Sequence, residues 1–200
     1  MENKILILFA HPAFEKSRVN RTLTKNLHKI EGITFHDLYE AYPDFDIDIK
    51  KEQQLLATHD LIVFHHPFYW YSSPSIIKEY LDLVLEHGWA YGHEGHALEG
   101  KYLMHVITTG AKEETYCAQG RNHYTIEQLL TPMEQTASMC NLNYIPPYMV
   151  YGSFSIEQQK IEEHRKQLEN FYLDFLNGNL NLKNFQGECD INTVLNPKTK

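Results

Sequence analysis

Residues 60–88 read DLIVFHHPFYWYSSPSIIKEYLDLVLEHG, and this stretch decides the fold. Residues 61–64 form a continuous apolar run without alternation, which is typical of a strand buried on both faces of a parallel sheet. After an aromatic loop, Ser73 can cap a helix that has Pro74 at its first position and ends before Gly88. The pattern therefore predicts a central strand, a loop and a helix, which together are the repeating unit of an α/β sheet.

The loop after this strand is rich in aromatic side chains. Ligands of open α/β sheets bind in the crevice beyond the carboxyl ends of the strands, so a flat ligand would meet this loop. The alternative is that the aromatic rings only fold back on the helix as apolar volume. The loop contains two histidines, a proline and four aromatic residues: His65, His66, Pro67, Phe68, Tyr69, Trp70 and Tyr71.

Length and composition restrict the class of protein. The chain has 200 residues and 42% hydrophobic content, which suits one globular domain with a sizeable core. No apolar segment is long enough for a membrane helix and no signal-peptide pattern is found, so we expect a cytoplasmic protein. The formal net charge of -8 disfavours nucleic acid and anionic membranes as general partners. Cys117, Cys140 and Cys189 are odd in number and widely spaced, which favours free thiols.

Four further segments have the pattern of strands. Residues 4–10 and 102–108 are apolar runs, residues 33–39 are less hydrophobic and suit an edge, and residues 144–151 begin irregularly at two prolines. Strands that alternate with helices predict a doubly wound, five-stranded parallel sheet with helices on both faces. The flavodoxin-like order 2-1-3-4-5 would bring the ends of the first, third and fourth strands around a single crevice.

Two helices have recognisable caps. Ser17 caps a helix whose N-terminus follows the first strand, where it can receive an anion. A later helix is predicted in two pieces, with Thr131 as the cap of the second piece and Pro132 in its first turn. Residues 177–200 are rich in Asn and weakly patterned, so we expect one domain over residues 1–176 and then a tail that lies on the surface or on a partner.

Two clusters invite a metal site, and their spacing argues against both. Asp44, Asp46 and Asp48 match the first positions of a calcium loop, but the glycine and the final glutamate of that motif are missing. Asp48 instead suits a helix cap. His93 and His96 do not have the spacing of a helical zinc pair, and no cysteine or further carboxylate cluster accompanies them. We therefore expect no metal.

The fourth strand ends in Thr108, Thr109, Gly110 and Ala111. Two hydroxyls and a glycine at the carboxyl end of a strand allow a ligand to approach the backbone closely. A second unusual loop, residues 88–100, is glycine-punctuated, long and aromatic, and so differs from a plain linker.

Several motifs occur together in chain order: Ala-His-Pro at 10–12, Ser17 with Asn20, Pro67 with Trp70-Tyr71, Gly-Trp-Ala-Tyr-Gly at 88–92 and Thr-Thr-Gly at 108–110. This combination resembles the FMN-dependent NAD(P)H:quinone oxidoreductases of flavodoxin-like fold. The narrower signatures, Tyr-Pro-Asp-Phe at 42–45 and His-Gly-Trp-Ala-Tyr-Gly at 87–92, are similar to the bacterial ancillary subunits of glutathione-regulated potassium efflux systems. The resemblance covers about residues 4–176.

The resemblance implies a role for each matching segment. The segment after the first strand would hold the phosphate and ribityl chain, with the Ser17 hydroxyl and backbone amides as donors; Arg18 would add charge there or be solvated. The aromatic loop would line the isoalloxazine, with Trp70 packed on the ring system, and the end of the fourth strand would lie near the pyrimidine end. The implied cofactor residues are His11, Ser17, Arg18, Val19, Asn20, Pro67, Phe68, Tyr69, Trp70, Tyr71, Thr108, Thr109, Gly110 and Ala111.

Two further pairs of residues follow from the resemblance. Tyr116 and His123 correspond to catalytic positions that stabilise the reduced flavin by hydrogen bonding; an extra residue before His123 leaves a structural role for that histidine equally open. Tyr91 and His93 correspond to positions that reach into the partner's site in a homodimer, so the long loop would cap a substrate pocket across the interface.

The resemblance implies an NAD(P)H dehydrogenase (quinone) that works by two successive two-electron steps. FMN would be the cofactor, with FAD as the alternative; NAD(P)H would donate hydride and a quinone would accept it at the same place. A second hypothesis is a regulatory subunit that binds a potassium efflux antiporter, and so lies peripherally at the inner membrane. A third is a flavodoxin-type electron carrier, but the chain lacks the hydroxyl-rich phosphate loop of those proteins.

Overall fold

The computed structural model describes residues 3–185 and 190–195. Its sheet has the strand order β2-β1-β3-β4-β5, with β6 also paired to β4, and all pairings are parallel. The predicted flavodoxin-like, doubly wound α/β order is therefore confirmed. The strands are β1 (Ile5–Phe9), β2 (Ile33–Asp37), β3 (Leu61–Pro67), β4 (Tyr102–Thr108), β5 (Asn143–Tyr144) and β6 (Tyr148–Val150).

The last two strands are halves of one predicted strand. The break between β5 and β6 contains Pro146 and Pro147, which have no N–H to donate to a sheet. The irregular entry predicted for this segment is thus a true interruption of the strand.

Helices cover both faces of the sheet. Helices α1 and α6 pack on one face with the odd-numbered residues of β1, and α3, α4 and part of α5 pack on the other with the even-numbered ones. The apolar runs lack alternation because both faces of each central strand are buried. Across the described residues, no helix combines the length and the apolar character needed to cross a bilayer. The helices are α1 (Arg18–Leu23), α2 (Leu38–Ala41), α3 (Ile49–Thr58), α4 (Ser75–Val84), α5 (Ile126–Met139), α6 (Gln158–Leu176) and α7 (Ile191–Leu195).

Two predicted caps are confirmed and one is displaced. The Ser17 hydroxyl accepts a hydrogen bond from the backbone N–H of Asn20 at 3.2 Å, and Asp48 accepts one from the N–H of Lys51 at 3.1 Å. The prediction for α4 was wrong by one position, since the cap is Pro74 and the helix begins at Ser75.

The prediction of a helix in two pieces was wrong, because α5 is continuous through Pro132. Its cap is Thr125, which forms a reciprocal capping box with Gln128. Proline has no N–H to donate to the carbonyl of Gln128, and the Thr131 hydroxyl donates to that carbonyl instead at 2.9 Å. Thr131, which was predicted to cap the start of a helix, therefore supplies the missing hydrogen bond inside a continuous helix.

His65 and His66 were predicted in the loop, and this was also wrong, because both are fully buried residues of β3. Burial lowers the pKa of His65 to about 3 and that of His66 to about 4, so both imidazoles are neutral. A neutral imidazole fits a strand interior when it is hydrogen-bonded. His66 contacts the Pro67 carbonyl oxygen through Nδ1 at 2.9 Å and the Nδ1 of His105 through Nε2 at 3.0 Å.

The segment after α6 packs against the sheet. Leu182, Phe185 and Ile191 are all buried, at 1%, 4% and 0% exposure, and join the core between α6 and the sheet. The Asn192 amide pairs with both backbone groups of Met149, donating to its carbonyl at 3.0 Å and accepting from its N–H at 2.7 Å. The side chain of Asn192 thus occupies the edge of β6 as a neighbouring strand would.

Free thiols were predicted at all three cysteines, and two of these residues lie in the described part of the chain. Cys117 is half-buried and Cys140 is buried, and both are free. Cys189 lies outside the described residues.

A buried carboxylate of α3 forms a hydrogen bond with the edge strand β2. Glu52 of α3 is fully buried and lies 2.9 Å from Nε2 of His36 on β2; the Tyr42 hydroxyl donates to the same oxygen. Burial by itself raises the pKa of the Glu52 carboxyl, but the hydrogen bonds from His36 and Tyr42 outweigh it and hold the pKa below the ordinary value. The charged carboxylate therefore stabilises the fold.

We expect Glu52→Gln to lower the free energy of unfolding by about 2–3 kcal/mol at pH 7, because a charged acceptor of two hydrogen bonds is lost. The folded-state pKa is depressed, so this stability is present above the unfolded pKa of about 4.3 and is lost as the pH falls through the folded value. Urea unfolding at pH 7 and pH 3.5 measures both effects. The exposed Glu79→Gln is the control; a deficit in Glu52→Gln that is equal at both pH values would contradict the assignment.

Candidate functional site

A cleft of about 340 Å³ opens at the carboxyl edge of the sheet. Four chain segments form its walls, and they follow β1, β3, β4 and β6. Its volume lies within the usual range for small-molecule sites. The lining residues are His11, Ala13, Lys16, Ser17, Arg18, Val19, Asn20, Pro67, Phe68, Tyr69, Thr108, Gly110, Ser153 and Phe154.

The first turn of α1 presents hydrogen-bond donors to this cleft. Ser17 Oγ accepts from the backbone N–H of Asn20 at 3.2 Å and from its Nδ2 at 3.0 Å. Because a hydroxyl has two lone pairs and one proton, Ser17 still has its proton to donate. The N–H groups of Arg18 and Val19 precede that of Arg21, which is the first to donate within the helix, and no turn or loop carbonyl among the described residues accepts from them. The cleft wall therefore offers three donors at one end.

Among the residues that the structure describes, the charged side chains that line the cleft are basic. Lys16 and Arg18 line the cleft, and no carboxylate does so among the residues that the structure describes, although the chain carries a net charge of -8. The Arg18 guanidinium donates to the Ile156 carbonyl and to Gln158 Oε1 at the start of α6. The guanidinium is therefore held at the start of α6, and the backbone N–H of Arg18 remains as a donor in the first turn of α1.

His11 contributes a neutral imidazole. Its Nδ1 accepts from the backbone N–H of Ala13 at 3.1 Å, so the ring proton is on Nε2. Burial lowers its pKa, although its backbone hydrogen bond and the charge of Glu15 act in the opposite direction. The ring also meets Tyr69 edge-on, with centroids 6.2 Å apart. His11 thus joins the donor end of the cleft to its aromatic wall.

The aromatic loop divides into two parts. Phe68 and Tyr69 line the cleft, and the chain then reverses in a two-residue turn in which Tyr69 and Ser72 exchange both backbone hydrogen bonds at 3.0 Å. Trp70 and Tyr71 occupy the turn with φ of 50° and 64°. Their side chains point outward, with Trp70 93% exposed. Both rings therefore stand at the rim, outside the cleft.

The end of β4 contributes another part of the cleft wall. Thr108 lies in the cleft and Thr109 behind it, where the Thr109 hydroxyl donates to the Ala111 carbonyl at 2.7 Å. Gly110 lies against the ring of Phe154, which a Cβ at this position would overlap. Phe154 is 91% exposed apart from this contact.

Sequence reasoning missed Ser153 and Phe154 as lining residues, whereas Ala13 and Lys16 lie within the segment predicted at the end of the first strand. Ser153 and Phe154 follow the last parallel strand, and the carboxyl ends of all parallel strands meet at one edge of the sheet. This rule was used for the first, third and fourth predicted strands and not for the last one.

The implied catalytic residues differ in their placement. Tyr116 is half-buried, with its ring 6.1 Å from that of Phe68, so it stands behind the cleft wall; burial raises its pKa. His123 is exposed and has φ of 62°. In the described part of the chain, no hydrogen bond or ring contact joins its side chain to a cleft residue.

Tyr91 and His93 lie in the loop after α4 and do not line the cleft of their own chain. Tyr91 is half-buried with its ring against His87, while His93 is exposed and its carbonyl accepts from Nε2 of His96 at 3.0 Å. Over residues 3–185 and 190–195, no group of three His, Cys, Asp or Glu side chains is placed to hold a metal ion.

The cleft brings together ten of the residues implied for a cofactor: His11, Ser17, Arg18, Val19, Asn20, Pro67, Phe68, Tyr69, Thr108 and Gly110. Trp70, Tyr71, Thr109 and Ala111 adjoin it without lining it.

Two known relatives match most of the chain. General stress protein 14 of Bacillus subtilis is 46% identical over 168 residues, which is 84% of this chain and 96% of the relative. The glutathione-regulated potassium-efflux system ancillary protein KefG of Yersinia pseudotuberculosis is 48% identical over 161 residues, or 80% of this chain and 88% of the relative.

Solved structures share the architecture. The general stress protein 14 of Treponema denticola, crystallised in complex with FMN, is 34% identical with a TM-score of 0.81, and the match covers 86% of this chain and 99% of that one. A NADPH-quinone reductase from P. pentosaceus is 28% identical with a TM-score of 0.77, covering 84% and 96%. The model of the flavodoxin-like fold family matches residues 3–171. The chain therefore belongs to this family, as its motifs indicated.

Proposed function

We propose that the chain is an FMN-dependent NAD(P)H:quinone oxidoreductase. The observation that carries this proposal is the cleft itself, in which hydrogen-bond donors stand next to aromatic side chains and no carboxylate of residues 3–185 or 190–195 belongs to the lining. An anion with a flat, apolar ring system is the ligand class that fits such a combination. The relatives support the identity of the ligand, since one was crystallised with FMN and another is a NADPH-quinone reductase.

The residues present fit FMN at both ends. The Ser17 hydroxyl and the N–H groups of Arg18 and Val19 can hold a phosphate dianion, which needs several donors to replace its water. Phe68 and Tyr69 can hold the ring system, and Gly110 makes room for the ring of Phe154 at the same cleft. His11 would lie between the phosphate end and the ring end of the bound FMN.

Bound FMN would supply the two-electron chemistry, accepting hydride from NAD(P)H and passing it to a quinone in two successive half-reactions. The side chains of this protein then need only bind, orient and donate hydrogen bonds. We assign Tyr116 to hydrogen bonding near the pyrimidine end, together with His123 if the segment before it closes on the ligand. In a homodimer, Tyr91 and His93 of a second copy would complete the substrate pocket.

An anaerobic absorbance titration of the purified full-length chain with NADH or NADPH tests this function. We expect a yellow protein that is bleached by about one equivalent and regains its colour when a quinone is added. The mass of the flavin extracted from the protein distinguishes FMN from FAD. A colourless protein that retains neither added FMN nor added FAD would overturn the proposal.

A second candidate function rests on the relative named as an ancillary protein of a potassium efflux system. In that case the chain would bind a membrane antiporter subunit and regulate it, and flavin binding would serve as a sensor. Co-purification with a transporter encoded nearby, and transport that depends on this chain, would favour that function. High quinone turnover by the isolated protein with no effect on transport would favour the enzyme.

A further inference from the structure

His65 is the fully buried histidine behind the donor end of the cleft. It lies at 0% exposure on β3, with Nε2 3.0 Å from Oδ1 of Asn20. Its other ring nitrogen, Nδ1, has no hydrogen-bond partner in the part of the chain that the structure describes. Phe9 meets the ring edge-on from the neighbouring strand, with centroids 5.4 Å apart. One ring nitrogen therefore has a hydrogen-bond partner, and the other has none among the described residues.

This asymmetry determines which nitrogen of His65 carries the proton. A buried N–H without an acceptor is rarer and more unfavourable than a buried lone pair without a donor. The proton therefore lies on Nε2, which donates to Oδ1 of Asn20. Burial keeps the ring neutral, so Nδ1 stays unprotonated over the working pH range.

The proton on His65 in turn determines the orientation of the Asn20 amide. With Oδ1 turned toward His65, Nδ2 donates to Ser17 Oγ at 3.0 Å and to Thr108 Oγ1 at 3.1 Å. Both hydroxyls line the cleft and both are then acceptors toward Asn20, so their protons are free to point at a ligand. In the opposite orientation, Oδ1 would draw both protons inward, away from the cleft.

We propose that His65 is a positioning residue: through Asn20, it makes Ser17 and Thr108 hydrogen-bond donors toward the cleft and so selects an anionic ligand group. The chain of contacts joins β3, α1 and β4, which are the three elements whose ends surround the cleft. The identity of the anion as the FMN phosphate rests on the proposed function, whereas the direction of the two hydroxyl protons does not.

The first test is the tautomer of His65 in the full-length protein, measured from the nitrogen shifts and two-bond couplings of ¹⁵N-labelled histidine. We expect the Nε2–H form, with the same result before and after addition of FMN. The Nδ1–H form or the doubly protonated ring at pH 7 would overturn the inference. This measurement needs no variant and no bound flavin, so it stands even where a substitution prevents folding.

The second test compares affinities for FMN and for riboflavin, which differ only in the phosphate. We expect His65→Leu to weaken FMN binding about 10- to 100-fold and riboflavin binding less than about threefold, because Asn20 is then free to turn. His65→Gln retains an N–H donor toward Asn20 and should stay within about threefold of the wild type for both ligands. Fluorescence quenching measures each dissociation constant.

His66→Leu is the matched control, since His66 is the adjacent buried histidine and hydrogen-bonds on the opposite side of the sheet. It should change the two affinities by the same factor. The inference would be overturned if His65→Leu lost the same factor of affinity for FMN and for riboflavin. It would also be overturned if His65→Gln lost as much FMN affinity as His65→Leu. A wild-type protein that binds neither flavin would refute the proposed function, while the tautomer would still decide the inference.

Discussion

Ser17→Asp is expected to weaken FMN binding at least about 100-fold while the melting temperature stays within about 2 °C of the wild type. Aspartate is as good an N-cap as serine, so α1 keeps its cap. Its carboxylate has no proton to donate, however, and repels the phosphate; two unit charges about 4 Å apart at an effective dielectric constant of 20 interact by roughly 4 kcal/mol. Isothermal titration with FMN and with riboflavin measures the effect.

Ser17→Asn is the neutral counterpart of this variant, because asparagine also caps helices and carries an N–H donor. It should lose no more than about tenfold in FMN affinity. Riboflavin affinity should change little in either variant, since riboflavin has no phosphate. If Ser17→Asp weakened riboflavin binding by the same factor as FMN binding, the donor end of the cleft would not be the phosphate site.

Ending the chain after residue 176 is expected to lower the melting temperature by at least about 10 °C or to give insoluble protein. The truncation removes Leu182, Phe185 and Ile191 from the core, and each buried apolar side chain contributes roughly 1.5–3 kcal/mol. The three side chains together contribute roughly 4.5–9 kcal/mol, which corresponds to a loss of about 9–36 °C at about 2–4 °C per kcal/mol for a chain of this size. Removal of Asn192 also leaves the edge of β6 open to pairing with other chains.

Two milder variants separate these contributions to stability. Asn192→Ala removes only the contact with Met149 and should cost roughly 1–3 kcal/mol, because both backbone groups lose their partner. The exposed Lys183→Ala should change almost nothing. A truncated chain that melts within about 3 °C of the wild type would show that residues 1–176 form a self-sufficient domain and that the segment beyond it is an appendage.

The parallel sheet and the location of the cleft were predictable because both depend on local patterns. A strand buried on both faces needs apolar residues at every position, and residues 5–9 and 61–64 satisfy this without knowledge of the rest of the chain. Once the order of parallel strands is known, their carboxyl ends must share one edge. The cap at Ser17 was equally local, since acceptor and donor are three residues apart.

The features that escaped prediction depend on distant partners. A histidine inside a strand is unfavourable until its hydrogen-bond partner is known, and Asn20 is 45 residues away from His65 in the chain. Phe154 meets Gly110 only because β6 and β4 are paired. In α5, the Thr131 hydroxyl donates to the Gln128 carbonyl that Pro132 leaves without a backbone donor, and helix propensities do not predict such a bond.

The turn from Tyr69 to Ser72 has a consequence for efforts to improve this protein. Two-residue turns of this hand favour Asn-Gly, whereas here Trp70 and Tyr71 hold the left-handed backbone, at roughly 1–2 kcal/mol each. A library screened only for heat resistance would therefore favour Asn-Gly at these positions and discard both rim aromatics. The resemblance implies that both rim aromatics serve the flavin site, so under the proposed function we expect selection for thermostability and selection for turnover to diverge at this turn.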